Sequence, residues 1–209
     1  MTQPDPAAFW DQRYADARVS FGTEPNVYLA SQAGLFKAGQ RVLVPGDGEG
    51  RNGVWLAQHG LHVDTVDASA TGAANARTLA AERGVSISAV AADLTTWAWP
   101  VAAYDAVVSI YLHFHADVRA AMHVKMLASL KPGGFVLLEG YTPKQMEHRK
   151  AGSIGGPHDV AMLFTPAQLR SDFAGAEIVS LTEAEVSLSE GTRHRGASSV
   201  VRLIARKRG

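Results

Sequence analysis

The stretch Arg41–Asn52 constrains the fold of this chain more than any other part of the sequence. An apolar run, Arg41–Pro45, ends in three glycines that alternate with acidic residues, namely Gly46, Gly48 and Gly50. Glycines lack a Cβ atom, so their backbone N–H groups can approach a bound molecule closely. A helix-like segment follows, and its positive N-terminal end suits a carboxylate or a phosphate. The pattern predicts a strand, a ligand-binding loop and a helix, in that order.

The spacing of the glycines distinguishes two kinds of ligand loop. Dinucleotide-binding folds place the third glycine three residues after the second, but here that position holds Arg51 and the third glycine is Gly50. The sequence also has no Tyr-x-x-x-Lys pair for the acid–base chemistry of hydride transfer. A nicotinamide-dependent oxidoreductase is therefore the disfavoured alternative.

An acidic residue, Asp67, ends the next apolar segment, Leu61–Asp67. A carboxylate at the carboxyl end of a strand can accept hydrogen bonds from both hydroxyls of a ribose. The alternative is that Asp67 caps the helix that begins near Ser69 to Thr71. The residues alone leave both roles open.

Strands and helices alternate along the rest of the chain. Further strands are predicted at Ile87–Ala91, Tyr104–Ile110 and Phe135–Leu138, and helices are expected to stop at Gly60, Gly84 and Gly133. The last two strands are predicted at Glu177–Leu181 and Val200–Ile204. Only a connection rich in Glu, Ser and Gly joins them, so they should pair antiparallel. The alternation indicates an α/β fold with a mostly parallel sheet and helices on both faces.

Taken together, these features resemble the class I S-adenosylmethionine-dependent methyltransferases. The matching segments occur in the family's order between about residues 40 and 140: Gly46–Gly50, Asp67, Ala92–Leu94, Tyr104–Val108 and Leu130–Gly134. The resemblance implies S-adenosylmethionine as the cofactor. It also implies a doubly wound sheet of seven strands in the order 3-2-1-4-5-7-6, with the last strand antiparallel.

A narrower likeness rests on Phe9–Tyr14, Phe21–Asn26, Gly50–Asn52 and His194–Arg195. These segments resemble the tellurite-resistance and thiopurine methyltransferase branch. That branch implies in-line transfer of a methyl group to a small soft nucleophile such as tellurite, selenite, a thiol or a thiopurine. Another small-molecule acceptor stays open, since one fold hosts many functions.

By this resemblance the chain is one domain, residues 1–209. It comprises an N-terminal helical lid (1–35), a cofactor-binding core (36–140), and acceptor-side loops with a C-terminal hairpin (141–209). The cofactor should lie at the carboxyl ends of the strands, at the switch point between the first and fourth strands. The residues expected to bind it are Arg13, Tyr14, Gly46, Asp47, Gly48, Asn52, Asp67, Ala68, Ala92, Asp93, Leu94, Ser109 and Ile110.

Within that set, the glycine loop and the helix start at Asn52 are expected to hold the methionine carboxylate. Asp67 is expected on the ribose, and Asp93 on the exocyclic amine of the adenine. Arg13 and Tyr14 either close over the cofactor as a lid or belong to ordinary helix packing.

One position departs from the family pattern. Many members carry an acidic residue two positions before the first glycine, where this chain has Val44. Asp47 or backbone carbonyls are then left to hold the methionine ammonium. This departure keeps open a non-catalytic binding protein as an alternative, although the three glycines and Asp67 favour an enzyme.

The acceptor side is expected on the loops after the fourth and fifth strands and near the last strand. By resemblance His194 and Arg195 are the catalytic residues. The candidate substrate residues are Phe21, Tyr111, His113, Phe114, Glu139, Tyr141 and His158. Each loop histidine has the alternative of a plain surface or packing role, and Arg195 that of a solvated turn. The histidine spacing predicts no metal site.

Composition narrows the partners. The formal net charge is zero, which disfavours a nucleic-acid partner held by its phosphates. The sequence has no cysteine, so no disulfide or thiol nucleophile exists. No apolar segment reaches the length of a membrane span or a secretory signal. We therefore expect a soluble cytoplasmic protein, a monomer or weak homodimer, whose partner is a small-molecule acceptor.

Overall fold

The fold is that of a seven-stranded sheet in the order β3-β2-β1-β4-β5-β7-β6. It was obtained as a computed structural model, which describes residues 6–15 and 20–209. The strands are β1 Arg41–Pro45, β2 His62–Asp67, β3 Ser88–Ala91, β4 Tyr104–Ile110, β5 Leu130–Tyr141, β6 Ala176–Glu190 and β7 His194–Lys207. The predicted strand order and the antiparallel last strand are confirmed.

Seven α-helices are found among the described residues, and they flank the sheet. They are α1 Pro6–Ala15, α2 Val27–Ser31, α3 Arg51–Gln58, α4 Ala70–Glu82, α5 Ala116–Ser129, α6 Gln145–Lys150 and α7 Pro166–Asp172. Two short 3-10 turns lie at Ala33–Leu35 and Val160–Met162. In the described ranges 6–15 and 20–209, no helix combines the length and the apolarity needed to cross a membrane.

The chain divides into two compact units, Met1–Ala98 and Trp99–Gly209. The single domain predicted from the sequence stays a prediction, as do its three segments. The predicted lid includes residues 1–5 and 16–19, which lie outside the described residues.

The first unit is built on three parallel strands. β1 pairs with β2, and β2 pairs with β3, so that Asp67 lies opposite Ala91. The turn into α3 depends on Gly50, whose φ of 88° is left-handed. A Cβ atom there would lie 2.6 Å from the Cβ of Ala76. Helices α3 and α4 can therefore pack closely only because this position is glycine.

The second unit pairs β4 parallel to β5, and β7 antiparallel to both β5 and β6. Its core consists of apolar side chains on the central strands, among them Val107, Leu137 and Leu203, all fully buried. Helix α7 begins with a capping box, in which Thr165 and Gln168 satisfy each other's backbone N–H groups.

The C-terminal hairpin is longer than the sequence predicted. The segment expected to be an irregular connection is strand, and the hydrogen-bonded ladder of β6 and β7 continues up to the pair Glu190 and His194. The alternating exposure of residues along β6 accounts for this, since every second side chain meets a neighbour on one face. The connection itself is only the turn between those two residues.

The expected helix stop at Gly133 was wrong. Helix α5 ends at Ser129, and the backbone is already extended at Leu130, which pairs with Tyr104. Gly133, with a φ of 76°, instead lies in an irregularity of strand β5. The glycine serves a turn within the strand, which periodicity alone does not separate from a helix end.

Candidate functional site

Asp67 lies at the carboxyl end of β2 and connects the two loops that face this edge. Its Oδ2 accepts a hydrogen bond from the backbone N–H of Gly48 at 2.9 Å, and its Oδ1 accepts one from Ser69 at 2.9 Å. Burial raises the pKa of the Asp67 carboxyl, while these two hydrogen bonds lower it. A carboxylate has about four lone-pair sites, so Asp67 keeps acceptor capacity for a further donor.

The helix cap after Asp67 belongs to another residue. Ser69 is the N-cap of α4, and its hydroxyl accepts a hydrogen bond from the N–H of Gly72 at 2.9 Å. Asp11 supports this cap from α1, accepting hydrogen bonds from the Ser69 hydroxyl at 2.5 Å and the Thr71 N–H at 3.0 Å. Capping is therefore done by Ser69 and Asp11, and Asp67 is left for another role.

The segment Ala92–Leu94 runs beside Asp67. The N–H of Ala92 donates to the backbone oxygen of Asp67 at 2.8 Å, and Leu94 is buried. Asp93 is exposed, and its Oδ1 accepts from the N–H and the hydroxyl of Thr95, each at 2.8 Å. The structure thus brings Asp67, the half-buried Ala68 and Asp93 to one edge of the first unit, and their nucleoside-binding role stays a prediction.

Asp47 serves the start of α3. Its Oδ2 accepts a hydrogen bond from the N–H of Gly53 at 2.9 Å, whereas Oδ1 is buried and has no hydrogen-bond partner among the described residues. Burial raises the pKa of the Asp47 carboxyl to about 7. Val44, at the position of the family's acidic residue, is 1% exposed and part of the core. Of the two acidic residues of this loop, Asp47 has a buried oxygen without a hydrogen bond, whereas Glu49 accepts a hydrogen bond from the N–H of Ser20.

Asn52 is held by the N-terminal segment. Its Oδ1 accepts a hydrogen bond from the N–H of Asn26 at 3.0 Å, while the Asn26 side chain caps α2 by accepting from Leu29 at 2.9 Å. The side chain expected to meet the methionine carboxylate therefore joins two segments of the protein. The sequence likeness of Gly50–Asn52 and Phe21–Asn26 corresponds in part to this contact.

The N-terminal helix packs on the glycine loop, which we define as Gly46–Gly50. Tyr14 is buried, and a Cβ atom at Gly48 would collide with its hydroxyl. Burial, followed by the charges of Asp67, Glu49 and Asp47, raises the pKa of Tyr14 well above its usual range. Tyr14 stays a neutral phenol that covers the loop.

The neighbours of Tyr14 form an aromatic group. Tyr14 stacks on Trp10 with ring centroids 5.6 Å apart, and Phe21 lies 6.3 Å from Tyr14. The guanidinium of Arg13 lies over the ring of Phe9 at 4.6 Å. Phe21 and Arg13 are thus placed in a packed aromatic group of the first unit.

In the second unit, Tyr111 directly follows β4 and has a strained backbone. Its φ of 54° is left-handed, which is costly for a bulky residue. The ring stacks on Tyr141 at 4.7 Å and meets the edge of His194 at 4.5 Å. Burial, then the nearby carboxylates of Glu139 and Glu190, raises the pKa of Tyr111 well above its usual range. We call Tyr111, Tyr141, Glu190 and His194 the acceptor cluster.

The residues before Tyr111 lie at the end of β4. The hydroxyl of Ser109 is buried and has no hydrogen-bond partner among the residues that the structure describes. Ile110 is buried and lies opposite Glu139 in β5. Glu139 is 1% exposed and accepts a hydrogen bond from Nε of Arg202 at 2.6 Å. Its charge is thereby compensated within the sheet.

His113 is a structural residue. Its Nδ1 lies 2.8 Å from the carbonyl of Met162 and therefore donates, and its Nε2 accepts from the N–H of Tyr141 at 3.1 Å. Both nitrogens of the ring are used, which sets the tautomer. Burial is the main cause that lowers the pKa of His113 to about 4. His113 is neutral near pH 7 and cannot serve as a base without breaking one of these bonds.

Replacing His113 with Phe should therefore lower the free energy of unfolding by about 2 kcal/mol, because the N–H of Tyr141 and the carbonyl of Met162 lose their partner. The phenyl ring keeps the stacking on Phe164, which is 4.4 Å away. Urea unfolding measures the effect. His115→Phe is the control, since His115 is exposed and its side chain makes no cap hydrogen bond. Equal stability of the two variants would contradict this role.

Three other predicted residues have different surroundings. Phe114 is buried, whereas His158 is exposed and lies beside the guanidinium of Arg149. His194 and Arg195 are successive residues of β7, so their side chains point to opposite faces. His194 is 7% exposed in the acceptor cluster, and Arg195 is exposed. The roles assigned to them stay predictions.

Sequence reasoning missed several residues that support these sites. Glu190 lies beside His194, Arg202 pairs with Glu139, and Asp11 caps α4. Glu49 accepts a hydrogen bond from the N–H of Ser20 at 2.7 Å and so ties the N-terminal segment to the glycine loop. Asp11 and Glu49 lie within the segments Phe9–Tyr14 and Gly46–Gly50 that carried the resemblance, and Gly191 after Glu190 indicated a turn before His194. In the described parts of the chain no group of three or more His, Asp or Glu residues is placed to hold a metal ion.

Residues 42–134 match the family model described as Methyltransferase domain. A search of curated proteins finds no significant match. The match over residues 42–134 covers less than half of the chain and supports the predicted methyltransferase, while the activity and S-adenosylmethionine as its cofactor stay predictions.

Solved structures of similar fold cover almost the whole chain. One of these structures concerns the conversion of a disulfide bond into a thioacetal group during echinomycin biosynthesis. It has a TM-score of 0.78 and 22% sequence identity, and the match covers 97% of this chain and 92% of that chain. TehB from Haemophilus influenzae has a TM-score of 0.71 and 18% sequence identity, and the match covers 97% of this chain and 67% of that chain. Magnesium protoporphyrin IX methyltransferase (ChlM) from Synechocystis PCC 6803, with bound SAH, has a TM-score of 0.62 and 21% sequence identity. The match covers 97% of this chain and 85% of that chain. At these identities the likeness establishes the fold.

Proposed function

We propose that this protein transfers the methyl group of S-adenosylmethionine to a small soft nucleophile, with a sulfur acceptor as the leading candidate. The observation that carries this proposal is the acceptor cluster, in which two stacked tyrosines and the edge of His194 lie together in the second unit. Polarizable sulfur atoms pack favourably against aromatic rings. An imidazole supplies the base that a protonated acceptor requires.

The residues of the first unit suit the cofactor. S-adenosylmethionine, when bound, supplies a methyl group that its positively charged sulfonium has already activated. Asp67 would accept from the ribose hydroxyls, and Asp93 from the adenine amine. The buried Oδ1 of Asp47, which lacks a partner among the described residues, suits the methionine ammonium where Val44 provides no charge. This fit supports the proposal because each hydrogen-bond donor of the cofactor would meet a carboxylate that can accept its hydrogen bond.

The residues of the second unit would hold the acceptor in position and remove its proton. Positioning a reactant in near-attack geometry can lower a barrier by roughly 7 to 11 kcal/mol. Tyr111 and Tyr141 would hold the acceptor, and His194 would remove its proton where it has one.

Two comparisons bear on the acceptor. The structure with the TM-score of 0.78 concerns chemistry at a disulfide, so sulfur is the reacting element in that protein. TehB has a similar fold over 97% of this chain, and the narrower likeness found in the sequence points to the tellurite-resistance and thiopurine branch. Tellurite, selenite, thiols and thiopurines are therefore the acceptors to assay.

The cofactor assignment predicts a selective thermal shift. S-adenosylhomocysteine at 100 times its dissociation constant should stabilise the native protein by about 2.7 kcal/mol, whereas NAD at the same concentration should leave the melting temperature unchanged. Differential scanning fluorimetry measures both. S-adenosylmethionine and adenosine complete the series. Stabilisation by NAD but not by S-adenosylhomocysteine would overturn the proposed function.

A further inference from the structure

The hairpin of β6 and β7 brings an acid and a base together. Glu190 ends β6, His194 begins β7, and the two residues are directly opposite each other in the antiparallel ladder. The turn between them starts at Gly191, whose φ of 65° is left-handed. Directly opposite residues of an antiparallel pair have side chains on the same face. The short turn therefore aligns the carboxylate with the imidazole.

Both side chains are buried. The side chain of Glu190 is 6% exposed and that of His194 is 9% exposed, and Oε2 of Glu190 lies 3.7 Å from Nδ1 of His194. A glutamate is almost never buried unless it is paired. This separation is longer than a hydrogen bond, so the carboxylate acts on the imidazole through its charge, which a site shielded from water screens poorly. A negative charge beside the ring stabilises its protonated form, which is the form that a base reaches when it accepts a proton.

The groups that face His194 define the chemistry of the cluster. They are Glu190 from β6, Tyr111 after β4, Tyr141 from β5, and His113, whose pKa is lowered in part by the charge of His194. Glu139 also lies near the Tyr111 hydroxyl and is paired with Arg202. Arg202 compensates the charge of Glu139, so the carboxylate of Glu190 is the charge that favours a neutral acceptor over an oxyanion.

We propose that Glu190 is a positioning residue that holds His194 as the base for an acceptor carrying an S–H group. The inference rests on the proposed function. The S–H bond breaks as its proton passes to the imidazole of His194, and the thiolate sulfur forms a bond to the donated methyl carbon. The bond between that carbon and the sulfonium sulfur breaks, and its electron pair stays on the sulfur of S-adenosylhomocysteine. His194 then releases the proton to solvent.

The same strand contains a matched surface pair. Glu185 of β6 has Oε2 2.5 Å from Nε2 of His148, but the Glu185 side chain is 58% exposed. Charge pairs at such exposed positions contribute little. Glu185→Gln therefore makes the same chemical change in the same strand, outside the acceptor cluster, and serves as the control variant.

The test compares two thiols in the Glu190→Gln variant. With 2-mercaptoethanol, which is protonated at neutral pH, kcat should fall about 10- to 100-fold, which is part of the roughly 100- to 10,000-fold that general acid–base catalysis contributes. With 4-nitrothiophenol, which is already a thiolate, kcat should change less than threefold. KM for S-adenosylmethionine should not change with either thiol. Glu190→Asp should restore part of the rate with 2-mercaptoethanol, and Glu185→Gln should behave as the unaltered protein.

A second measurement needs no turnover. Removing the carboxylate should move the titration of the His194 ring, followed by NMR of the histidine side chains, to lower pH, because a nearby negative charge favours the protonated ring. In Glu190→Asp the His194 ring should titrate near the pH at which it titrates in the unaltered protein. The titration of His148 should not change in either variant. An unchanged His194 titration in Glu190→Gln, or an equal loss of rate with both thiols, would overturn the role of Glu190. Absence of methyl transfer to any thiol by the unaltered protein would instead overturn the proposed function, while the titration would still decide the pairing.

Discussion

An Asp67→Ala variant is expected to bind S-adenosylhomocysteine about 100- to 1000-fold more weakly. Hydrogen bonds to a charged group contribute roughly 1.5 to 3 kcal/mol each, and each 1.4 kcal/mol changes affinity tenfold. Two ribose hydroxyls on one carboxylate therefore account for the expected loss. Isothermal titration calorimetry on the folded variant measures it directly.

The Asp67 prediction has two comparisons within the same strand. Asp67→Asn keeps one oxygen as an acceptor for Gly48 or Ser69, so its affinity should lie between those of the alanine variant and the unaltered protein. Asp64→Asn removes a carboxylate whose partner is Arg41 at 2.7 Å on the surface, and its affinity should not change. Full affinity in Asp67→Ala would remove the ribose assignment.

The second large effect is expected in the pH dependence of stability. Replacing Asp47 with Asn should abolish a loss of stability that the unaltered protein suffers as pH rises from 5 to 8. Burial raises the pKa of Asp47 to about 7 in the folded state, against about 3.9 for an unfolded aspartate. The folded state therefore binds the proton more tightly than the unfolded chain does between these two values.

The direction follows from linkage. The contribution of Asp47 to stability is fully present below about pH 4 and is lost as pH rises through about 7, since ionisation of the buried carboxyl opposes folding. Each pH unit corresponds to about 1.4 kcal/mol, so the loss between pH 5 and pH 8 is on the order of 2 to 3 kcal/mol. Asparagine keeps an oxygen for the N–H of Gly53 and cannot ionise.

The measurement is the difference in free energy of unfolding between Asp47→Asn and the unaltered protein, taken from urea titrations at pH 5 and pH 8. Taking the difference removes the contributions of all other titrating groups, and Asp64→Asn controls for the loss of a single carboxylate. A difference that does not change with pH would show that Asp47 is ionised throughout the range. Weaker binding of S-adenosylhomocysteine by Asp47→Asn is the further result expected if Oδ1 holds the methionine ammonium.

Local sequence was sufficient for the strand–loop–helix unit around the glycine loop. Alternating glycines, an apolar run before them and a helical run after them act within about a dozen residues, and β1 and α3 occur where they were predicted. The length of the hairpin of β6 and β7 was underestimated from the sequence. Hydrogen bonds to the partner strand extend each strand beyond its apolar centre. Gly133 was misread for a related reason, since a glycine turn in a strand has the same local signal as a helix end.

Residue type and order along the chain determined the strand order of the sheet and the positions of Asp47, Asp67 and Asp93 at or just after the ends of its strands. The hydrogen-bond partners and the burial of each side chain depended on the tertiary structure alone. Both nitrogens of His113 form hydrogen bonds to the backbone, Ser69 and Asp11 cap α4, and Glu190 is buried beside His194. The physical reason is that the availability of a polar group depends on the partners that packing brings to it, and most of those partners are distant in sequence.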